Sequence, residues 1–361
     1  MNTLSTDTLD SALEALSAMN PSHAPFRTRC LEAALDLVWR QWCSLGVAGH
    51  APAADPSRII DPEALLLFTT TIGQHDPRLF DECLDWLSKH GSLIHLQRLK
   101  TLHADTGLGD ATVLGAMADW LATAAHQPKW QNLAKSKRAL ETPRPLFGGP
   151  TLHPADPIFL GHGLLRAPVQ LRGMSRPPNP TLPPNLLLAL RALIGVGARA
   201  EVILCLASGP AVHAAELARL TGYKPRTIQL LLQEMALSGH VLTQESPARS
   251  AASNGRGSSR RYHLQASDWA FLTSGRPLPS WMPWTPLWRL VQETLEALPH
   301  DGQAQQHPVV TSSRLREVLT SQGNELAAAG LLPLLDLRSA APGMELLASL
   351  ADRLPAALAS L

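Results

Sequence analysis

Proline is distributed unevenly along this chain of 361 residues, and its distribution limits where long helices can form. Eleven of the 30 prolines lie between Pro143 and Pro184. At that density a long helix is excluded, because proline removes a helical hydrogen bond and clashes with the preceding turn. The stretch keeps apolar runs such as PIFLGHGLL, so we expect it to pack across a surface as an extended strap.

Apolar residues on both sides of the strap repeat every three or four positions, which is typical of amphipathic helices. Examples are RTRCLEAALDLVWRQWCSLGV before the strap and WTPLWRLVQETLEAL after it. Asp61 and Pro62 together predict a helix start, with Asp61 as the N-cap. Hydrophobic residues make up 45% of the chain and charged residues 17%, so most of it should fold. The predicted fold class is mainly α.

Four segments follow from this pattern: a helical N-terminal module (1–140), the strap (141–184), a third segment (185–266) and a helical C-terminal segment for dimerisation or partner contacts (267–361). Within the module, residues 61–126 include two helices joined by a turn at Gly91. That part is open to two interpretations, a degenerate winged helix or a packing role. The lack of a wing-like stretch and of many exposed basic residues favours packing.

The stretch AAELARLTGYKPRTIQLLLQEMALSGHVL, residues 214–242, reads as two helices joined by a tight turn and followed by a strand. Gly222 suits the turn because it tolerates positive φ, and Pro225 suits the first turn of the second helix. The second helix has an apolar stripe at i, i+3, i+4 and i+7, formed by Ile228, Leu231, Leu232 and Met235. Its opposite face is polar.

Two alternating segments, HVLTQE and RYHLQ, predict strands on either side of a basic loop, SPARSAASNGRGSSRR. With the preceding ARAEVILCLAS as a first helix, residues 198–265 resemble the winged helix-turn-helix transcriptional regulators of bacteria, broadly the MarR and ArsR families. The resemblance implies a winged helix-turn-helix domain with a small β-wing, and a second helix that reads DNA.

Eleven residues are predicted to contact DNA, seven of them on or just before the second helix and four in the loop and strand that follow. Arg and Gln suit bidentate contacts to guanine and adenine edges, and wing arginines suit phosphates or a narrow minor groove. The residues are Tyr223, Lys224, Arg226, Thr227, Gln229, Leu230, Gln233, Arg249, Arg256, Arg260 and Arg261. Residues 199–265 hold eight Lys or Arg against four Glu, a net charge of +4, whereas 266–361 carry −3. Basic charge is therefore concentrated in the segment 185–266, the predicted winged helix-turn-helix DNA-binding domain.

Other candidate sites are weaker. GVGAR at Gly195 lacks a preceding strand, so it predicts a bend between helices rather than a nucleotide loop. His90, His95 and His103 lie near Cys83 in sequence, but their spacing fits no compact metal site, and they are expected at a surface or at helix ends. Trp281, Trp284 and Trp288 form a stripe expected in a core or a dimer seam. With no catalytic motif in the sequence, we predict no enzyme, no metal and no cofactor.

Four widely spaced cysteines without a CxxC pair predict reduced thiols, and hence a cytoplasmic location. The first residues lack the pattern of a signal peptide, and no run of 18 apolar residues predicts a membrane span. Membrane association is therefore not expected.

The predicted function is that of a sequence-specific regulator of transcription that binds double-stranded DNA. We expect a repressor that acts as a homodimer on an inverted repeat. Whether a small molecule or a protein acts as its effector is left open by the sequence. The alternative is a scaffold or antitoxin-like interaction protein whose winged helix docks another protein.

Overall fold

The computed structural model describes residues 23–135, 142–149, 154–245, 260–273, 277–298, 308–332 and 344–361. These residues are mainly helical, with a small sheet of few strands. The predicted fold class is confirmed at this level. Among the described residues, no helix combines the length and the apolar character that a membrane span requires.

The helices before the strap's end are α1 (His23–Leu45), α2 (Pro62–Ile72), α3 (Pro77–His90), α4 (Leu96–Thr106), α5 (Ala111–Thr123), α6 (Gln131–Lys135) and α7 (Pro157–Gly161). The later helices are α8 (Leu186–Ile194), α9 (Ala198–Ser208), α10 (Ala214–Thr221), α11 (Pro225–Ala236), α12 (Trp284–Ala297), α13 (Pro308–Ala328) and α14 (Met344–Ser360). The strands are β1 (Arg144–Pro145), β2 (Leu164–Leu165), β3 (Val212–His213), β4 (Leu242–Glu245) and β5 (Arg260–His263).

The chain separates into two compact units, which do not coincide with the four predicted segments. One unit combines Met1–Leu37 with Arg289–Leu361, and the other is Val38–Trp288. In the first unit, Arg29 donates a hydrogen bond to the carbonyl of Ala351, 2.9 Å away, which ties α1 to α14. The second unit contains most of the predicted N-terminal module, the strap and the predicted DNA-binding domain. It carries the candidate site.

The N-terminal module is built from helices whose starts are encoded locally. The side chain of Asp61 accepts from the backbone N–H groups of Glu63 and Ala64, and Pro62 follows it, as predicted. Asp110 caps α5 in the same way. Residues 61–126, all of them described, contain helices and turns but no strand. The region therefore lacks a wing, and a packing role is the interpretation that the structure favours.

The strap contains one five-residue helix, α7, and one pair of short parallel strands, β1 and β2, among its described residues. The rest of its described backbone is extended or turning, as the proline density predicted. The Arg166 guanidinium binds both carboxylate oxygens of Asp81 on α3 at 2.7 and 3.1 Å. The ring of Phe159 lies 5.1 Å from the same guanidinium. Buried ion pairing and ring contacts thus fix the strap to the module.

The tryptophan stripe belongs to the hydrophobic core. Trp284 and Trp288 are buried and stack at 5.6 Å, and Trp288 also stacks on Phe68 at 4.6 Å. The indole N–H of Trp284 donates to the carbonyl of Ile59. Of the two alternatives for this stripe, the core is therefore confirmed. The face of Trp284 and Trp288 is not available for a dimer interface, because both rings are covered within their own unit.

Helices α9, α10 and α11 enclose an apolar core with a three-stranded antiparallel sheet in the order β3–β5–β4. Thr243 pairs with Tyr262 in the β4–β5 register, and the ring of Tyr262 is buried in the core. Both predicted strands are therefore present, over Leu242–Glu245 and Arg260–His263. Gly195 and Gly197 form the bend between α8 and α9, as the GVGAR pattern predicted.

Gly222 makes the turn between α10 and α11 for two independent reasons. Its φ of +71° lies in the left-handed region, which costs any residue with a Cβ. A Cβ at this position would also lie 2.4 Å from Cδ2 of Leu102 on α4. The turn is therefore pressed against the N-terminal module, and no larger residue fits without displacing it.

We predict that Gly222→Ala lowers the free energy of unfolding by about 2–4 kcal/mol, the sum of left-handed strain and overpacking. The matched control is Gly239→Ala. Gly239 has a φ of +75° with no atom within 4 Å of an added Cβ, so the control should cost only about 1 kcal/mol. Denaturant unfolding of both variants gives the comparison, and equal losses would mean that the contact with Leu102 is absent.

Candidate nucleic-acid interface

Helix α11 begins where its sequence predicts. Lys224 has an extended backbone at the N-cap position, and Pro225 occupies the first helical position. Ile228, Leu231 and Leu232 are buried in the core, and Met235 is half-buried against it. The predicted apolar stripe is confirmed, and it fixes which face of α11 is left for binding.

The remaining face of α11 is exposed and carries hydrogen-bonding side chains. Arg226, Thr227, Gln229, Leu230 and Gln233 are all exposed. The Arg226 guanidinium lies 3.4 Å from Oε1 of Gln229, a long contact that leaves most donors of both side chains free. A guanidinium and two carboxamides on one helix face can donate to and accept from base edges. We call these five residues the reader face.

Two predicted contact residues are engaged elsewhere. Lys224 forms an ion pair with Asp105 of α4 at 2.9 Å, although both side chains are more than half exposed. Tyr223 is half-buried, and its hydroxyl donates to Oε1 of Glu201 at 3.0 Å and lies 3.3 Å from Nδ1 of His95. Tyr223 is thus a packing group in this structure, and Lys224 is partly neutralised.

Of the predicted basic wing, the structure describes the two strands but not the loop that joins them. Arg260 and Arg261 are exposed on β5, and Nε of Arg261 lies 3.2 Å from Nε2 of His213 on β3. Arg249 and Arg256 lie outside the described residues. The structure therefore places two of the four predicted wing arginines at the surface of the sheet.

A buried charge network lies under the turn that leads into α11, and sequence reasoning missed it. Arg98 of α4, which is buried, donates from Nη1 and Nη2 to the two oxygens of Asp61 at 2.6 and 2.5 Å. The same Nη1 donates to Oε2 of Glu63 at 2.6 Å. Its Nε donates to the carbonyl of Thr221, the last residue of α10, at 2.7 Å.

A second buried arginine extends the network into the predicted DNA-binding domain. Arg191 of α8 donates to both oxygens of Glu63, at 2.7 and 2.8 Å, and to Oε1 of Glu201 on α9 at 2.5 Å. Glu63 is therefore shared by two arginines, and it also accepts from the backbone N–H of His95. Two cations and three carboxylates, all buried, join the module to the helices that position α11. We call Asp61, Glu63, Arg98, Arg191 and Glu201 the charge network.

The protonation states follow from burial and from these charges. Burial by itself would raise the pKa of Glu63, but the fields and hydrogen bonds of Arg191 and Arg98 outweigh it and lower the pKa to about 2. The pKa of Arg191 is raised, because its neighbouring carboxylates outweigh the cost of burial. Burial and the field of Glu201 raise the pKa of Tyr223, so the phenol stays neutral. Glu63, Arg98 and Arg191 are therefore ionised at neutral pH.

The sequence does carry a weak signal for these residues. Arg191 interrupts the apolar run LLLALRALIG, and Glu201 stands in ARAEVILCLAS. An isolated charge in an apolar helical run predicts a buried, paired group. The pairing itself joins residues that are 10, 35, 37 and 128 positions apart, so the pattern alone does not identify the partners.

An apolar groove runs beside the reader face. Leu193, Ile194 and Val196, at the bend between α8 and α9, are exposed by 70%, 42% and 36%, and Leu230 by 43%. A groove of about 410 Å³ is lined by Ile194, Val196, Thr227 and Leu230. Arg199 and Glu234 form an exposed ion pair at 2.8 Å among its lining residues. This surface is more apolar than a phosphate-contacting surface requires.

The other candidate residues have structural explanations. His90 ends α3, and His95 caps α4 by accepting from the backbone N–H of Arg98. Among the residues that the structure describes, no group of three or more His, Cys, Asp or Glu side chains could hold a metal ion. Cys30, Cys83 and Cys205 are buried free thiols, and Cys43 is a half-buried one.

We predict that Glu63→Gln lowers the free energy of unfolding by about 3–5 kcal/mol, because it leaves two buried guanidinium groups under-neutralised. The control is Glu216→Gln on α10, an exposed carboxylate, which should change stability by less than about 0.5 kcal/mol. Since the pKa of Glu63 lies near 2 against an ordinary 4.5, its stabilisation should be complete above pH 4.5 and be lost as the pH falls toward 2. Urea unfolding from pH 7 to pH 3 measures both effects, and a wild-type pH profile in Glu63→Gln would contradict the assignment.

Comparison of the chain with models of protein families, with curated proteins and with solved structures finds no match. No activity or partner is therefore transferred from a relative. What α11 binds has to be inferred from the residues that surround it.

Proposed function

We propose that this protein is a regulator of transcription that binds double-stranded DNA through α11. The observation that carries the proposal is the division of α11 into a buried stripe and the reader face, with Arg226, Gln229 and Gln233 exposed together. Guanidinium and carboxamide groups are the side chains that best discriminate guanine and adenine in the major groove. No other described surface combines such groups on one exposed helix face with a neighbouring basic strand.

The order of elements supports a winged-helix arrangement for this region. The elements follow one another in the order α9, β3, α10, α11, β4 and β5, as in a helix-turn-helix followed by a β-wing. In such an arrangement the second helix of the pair enters the major groove and the wing lies along the backbone. Arg260 and Arg261 would then meet phosphates, and they are exposed on β5.

A single module buries limited DNA surface, so we extend the proposal to a homodimer that represses from an inverted repeat. The two reader helices would lie about 34 Å apart, one turn of the duplex. Because Trp284 and Trp288 are buried, the seam has to use other surface. A cytoplasmic location remains part of the proposal, on the basis of the free thiols.

One observation favours a second candidate, in which the region docks another protein. The groove lined by Ile194, Val196 and Leu230 adjoins the reader face, and Leu193, next to Ile194 in the chain, is also exposed. Clustered exposed apolar residues mark protein interfaces more often than DNA interfaces, which are polar and basic. Asp105 beside Lys224 also places a carboxylate near the start of α11, where a phosphate would be repelled.

We predict that Arg226→Ala and Gln229→Ala each weaken binding to a preferred duplex by about 1–3 kcal/mol, because each removes a base-edge contact. The duplex is obtained by selection from a random pool, and affinity is measured by fluorescence anisotropy at fixed salt. Both side chains are exposed, so the melting temperature should not change.

The control for this experiment is Lys135→Ala, which removes an exposed charge on α6 and should leave affinity unchanged. Wild-type affinity in both reader variants would remove α11 from the groove. Failure of the wild-type protein to enrich any duplex would favour the docking alternative.

The wing arginines are expected to act without sequence preference. Replacing Arg260 and Arg261 together by Ala should weaken binding to all duplexes and reduce the slope of log affinity against log salt by about one for each phosphate contact removed. Anisotropy titrations at several salt concentrations measure the slope. An unchanged slope would show that β5 does not touch DNA.

A further inference from the structure

A recess lined by three arginines lies in the N-terminal module, and none of its lining residues belongs to α11, to β5 or to the charge network. It measures about 450 Å³ and is bounded by the end of α1, the start of α3 and the strap. Its lining includes Cys43, His50, Arg78, Arg172 and Arg176. We call it the arginine recess. A concave site of this size is in the range that holds small ligands.

The strap wall of the recess is fixed by buried carboxylates. Glu82 on α3 is buried and accepts from Nη1 of Arg172 at 3.0 Å. Asp85, one turn further along α3 and also buried, accepts from the backbone N–H and the hydroxyl of Ser175 at 2.9 and 2.7 Å. Two successive turns of α3 therefore hold the segment from Arg172 to Arg176 in place.

The facing wall is just as constrained. The backbone N–H of Arg176 donates to the carbonyl of Gly46 at 2.8 Å, directly after α1. Gly46 has a φ of +107°, and a Cβ there would lie 2.2 Å from the carbonyl oxygen of Arg176. Only glycine allows the strap to approach this closely. The recess is thus a built feature rather than a gap between loose loops.

Two of the three arginines that line the recess have no carboxylate partner among the described residues. Arg172 is paired with Glu82, but among the described residues no carboxylate lies within 4.0 Å of the guanidinium of Arg78 or of Arg176. Asp76, close to Arg78 in sequence, uses its carboxylate to accept from Trp39 Nε1 and from the backbone N–H of Leu79. Burial raises the pKa of the Cys43 thiol, so Cys43 adds no negative charge at neutral pH. The Arg78 guanidinium lies over the ring of Trp39, 5.6 Å from its centroid, a contact that leaves its positive charge in place. Two positive charges therefore remain without a carboxylate partner among the described residues.

We propose that the arginine recess binds a small molecule that carries a phosphate monoester. Its two negative charges match the two guanidinium groups that have no carboxylate partner among the described residues, and the planar donors of these groups suit phosphate oxygens. Val47 and Met174 in the lining give an organic group of the ligand apolar surface to contact. The site is independent of α11, so the proposal stands whether or not the protein binds DNA.

The test uses phenyl phosphate and inorganic phosphate as probes, titrated by calorimetry into the full-length protein at constant ionic strength. We expect saturable binding of both at one site, tighter for phenyl phosphate. Arg78→Gln and Arg176→Gln should each weaken it about tenfold or more, the effect of one lost charge-assisted hydrogen bond. The control Arg219→Gln, an exposed arginine on α10, should leave binding unchanged. Because Arg78 and Arg176 are exposed, the melting temperatures of the variants should match the wild type.

Three results would overturn the proposal. The first is heat that does not saturate with either probe. The second is saturable binding that neither Arg78→Gln nor Arg176→Gln weakens, since the phosphate would then lie elsewhere. The third is displacement of phenyl phosphate by a DNA duplex with dependence on Arg78 and Arg176, which would assign the recess to nucleic-acid backbone.

Discussion

The position of α11 depends on the ion pairs that the carboxylate of Glu63 forms with Arg98 and Arg191. Each arginine also reaches a helix of the predicted DNA-binding domain, Arg98 through the carbonyl of Thr221 and Arg191 through Glu201. A buried ion network of this kind adds little net stability over apolar packing, but breaking it is costly because charges are left unpaired in the interior. Its contribution is therefore to specify one orientation of the turn before α11.

That orientation decides which side chains of α11 are available. With the turn at Gly222 pressed against Leu102, Tyr223 is drawn into the network and Lys224 meets Asp105. The next turns of the helix are exposed on one face, from Arg226 to Gln233. A preorganised helix face loses little conformational entropy on binding, which favours specific recognition. The same rigidity would also favour the docking of another protein. The two proposals therefore differ in the chemistry of the exposed side chains and not in the shape of the helix face.

Much of the local structure could be predicted from the sequence because it depends on neighbouring residues. The cap at Asp61, the turn at Gly222 and the stripe of Ile228, Leu231 and Leu232 each need only a few residues of context. Long-range pairing could not be predicted in the same way: helical periodicity shows that Trp284 and Trp288 face apolar surroundings, but not that Phe68 covers them. For the site, the exposed side chains of α11 follow from the stripe, whereas the packing of Tyr223 depends on Glu201 and the groove at Leu230 depends on the bend at Val196.

The most direct test of the account is whether the exposed face of α11 lies against DNA. A photo-crosslinking residue, p-benzoylphenylalanine, is introduced at Gln233, with the same residue at Lys135 as the control, and each protein is irradiated with the selected duplex. The account predicts a protein–DNA crosslink from position 233 and none from position 135, with loss of the crosslink at high salt as phosphate contacts weaken. Absence of a crosslink from position 233, under conditions where anisotropy shows the duplex bound, would contradict it.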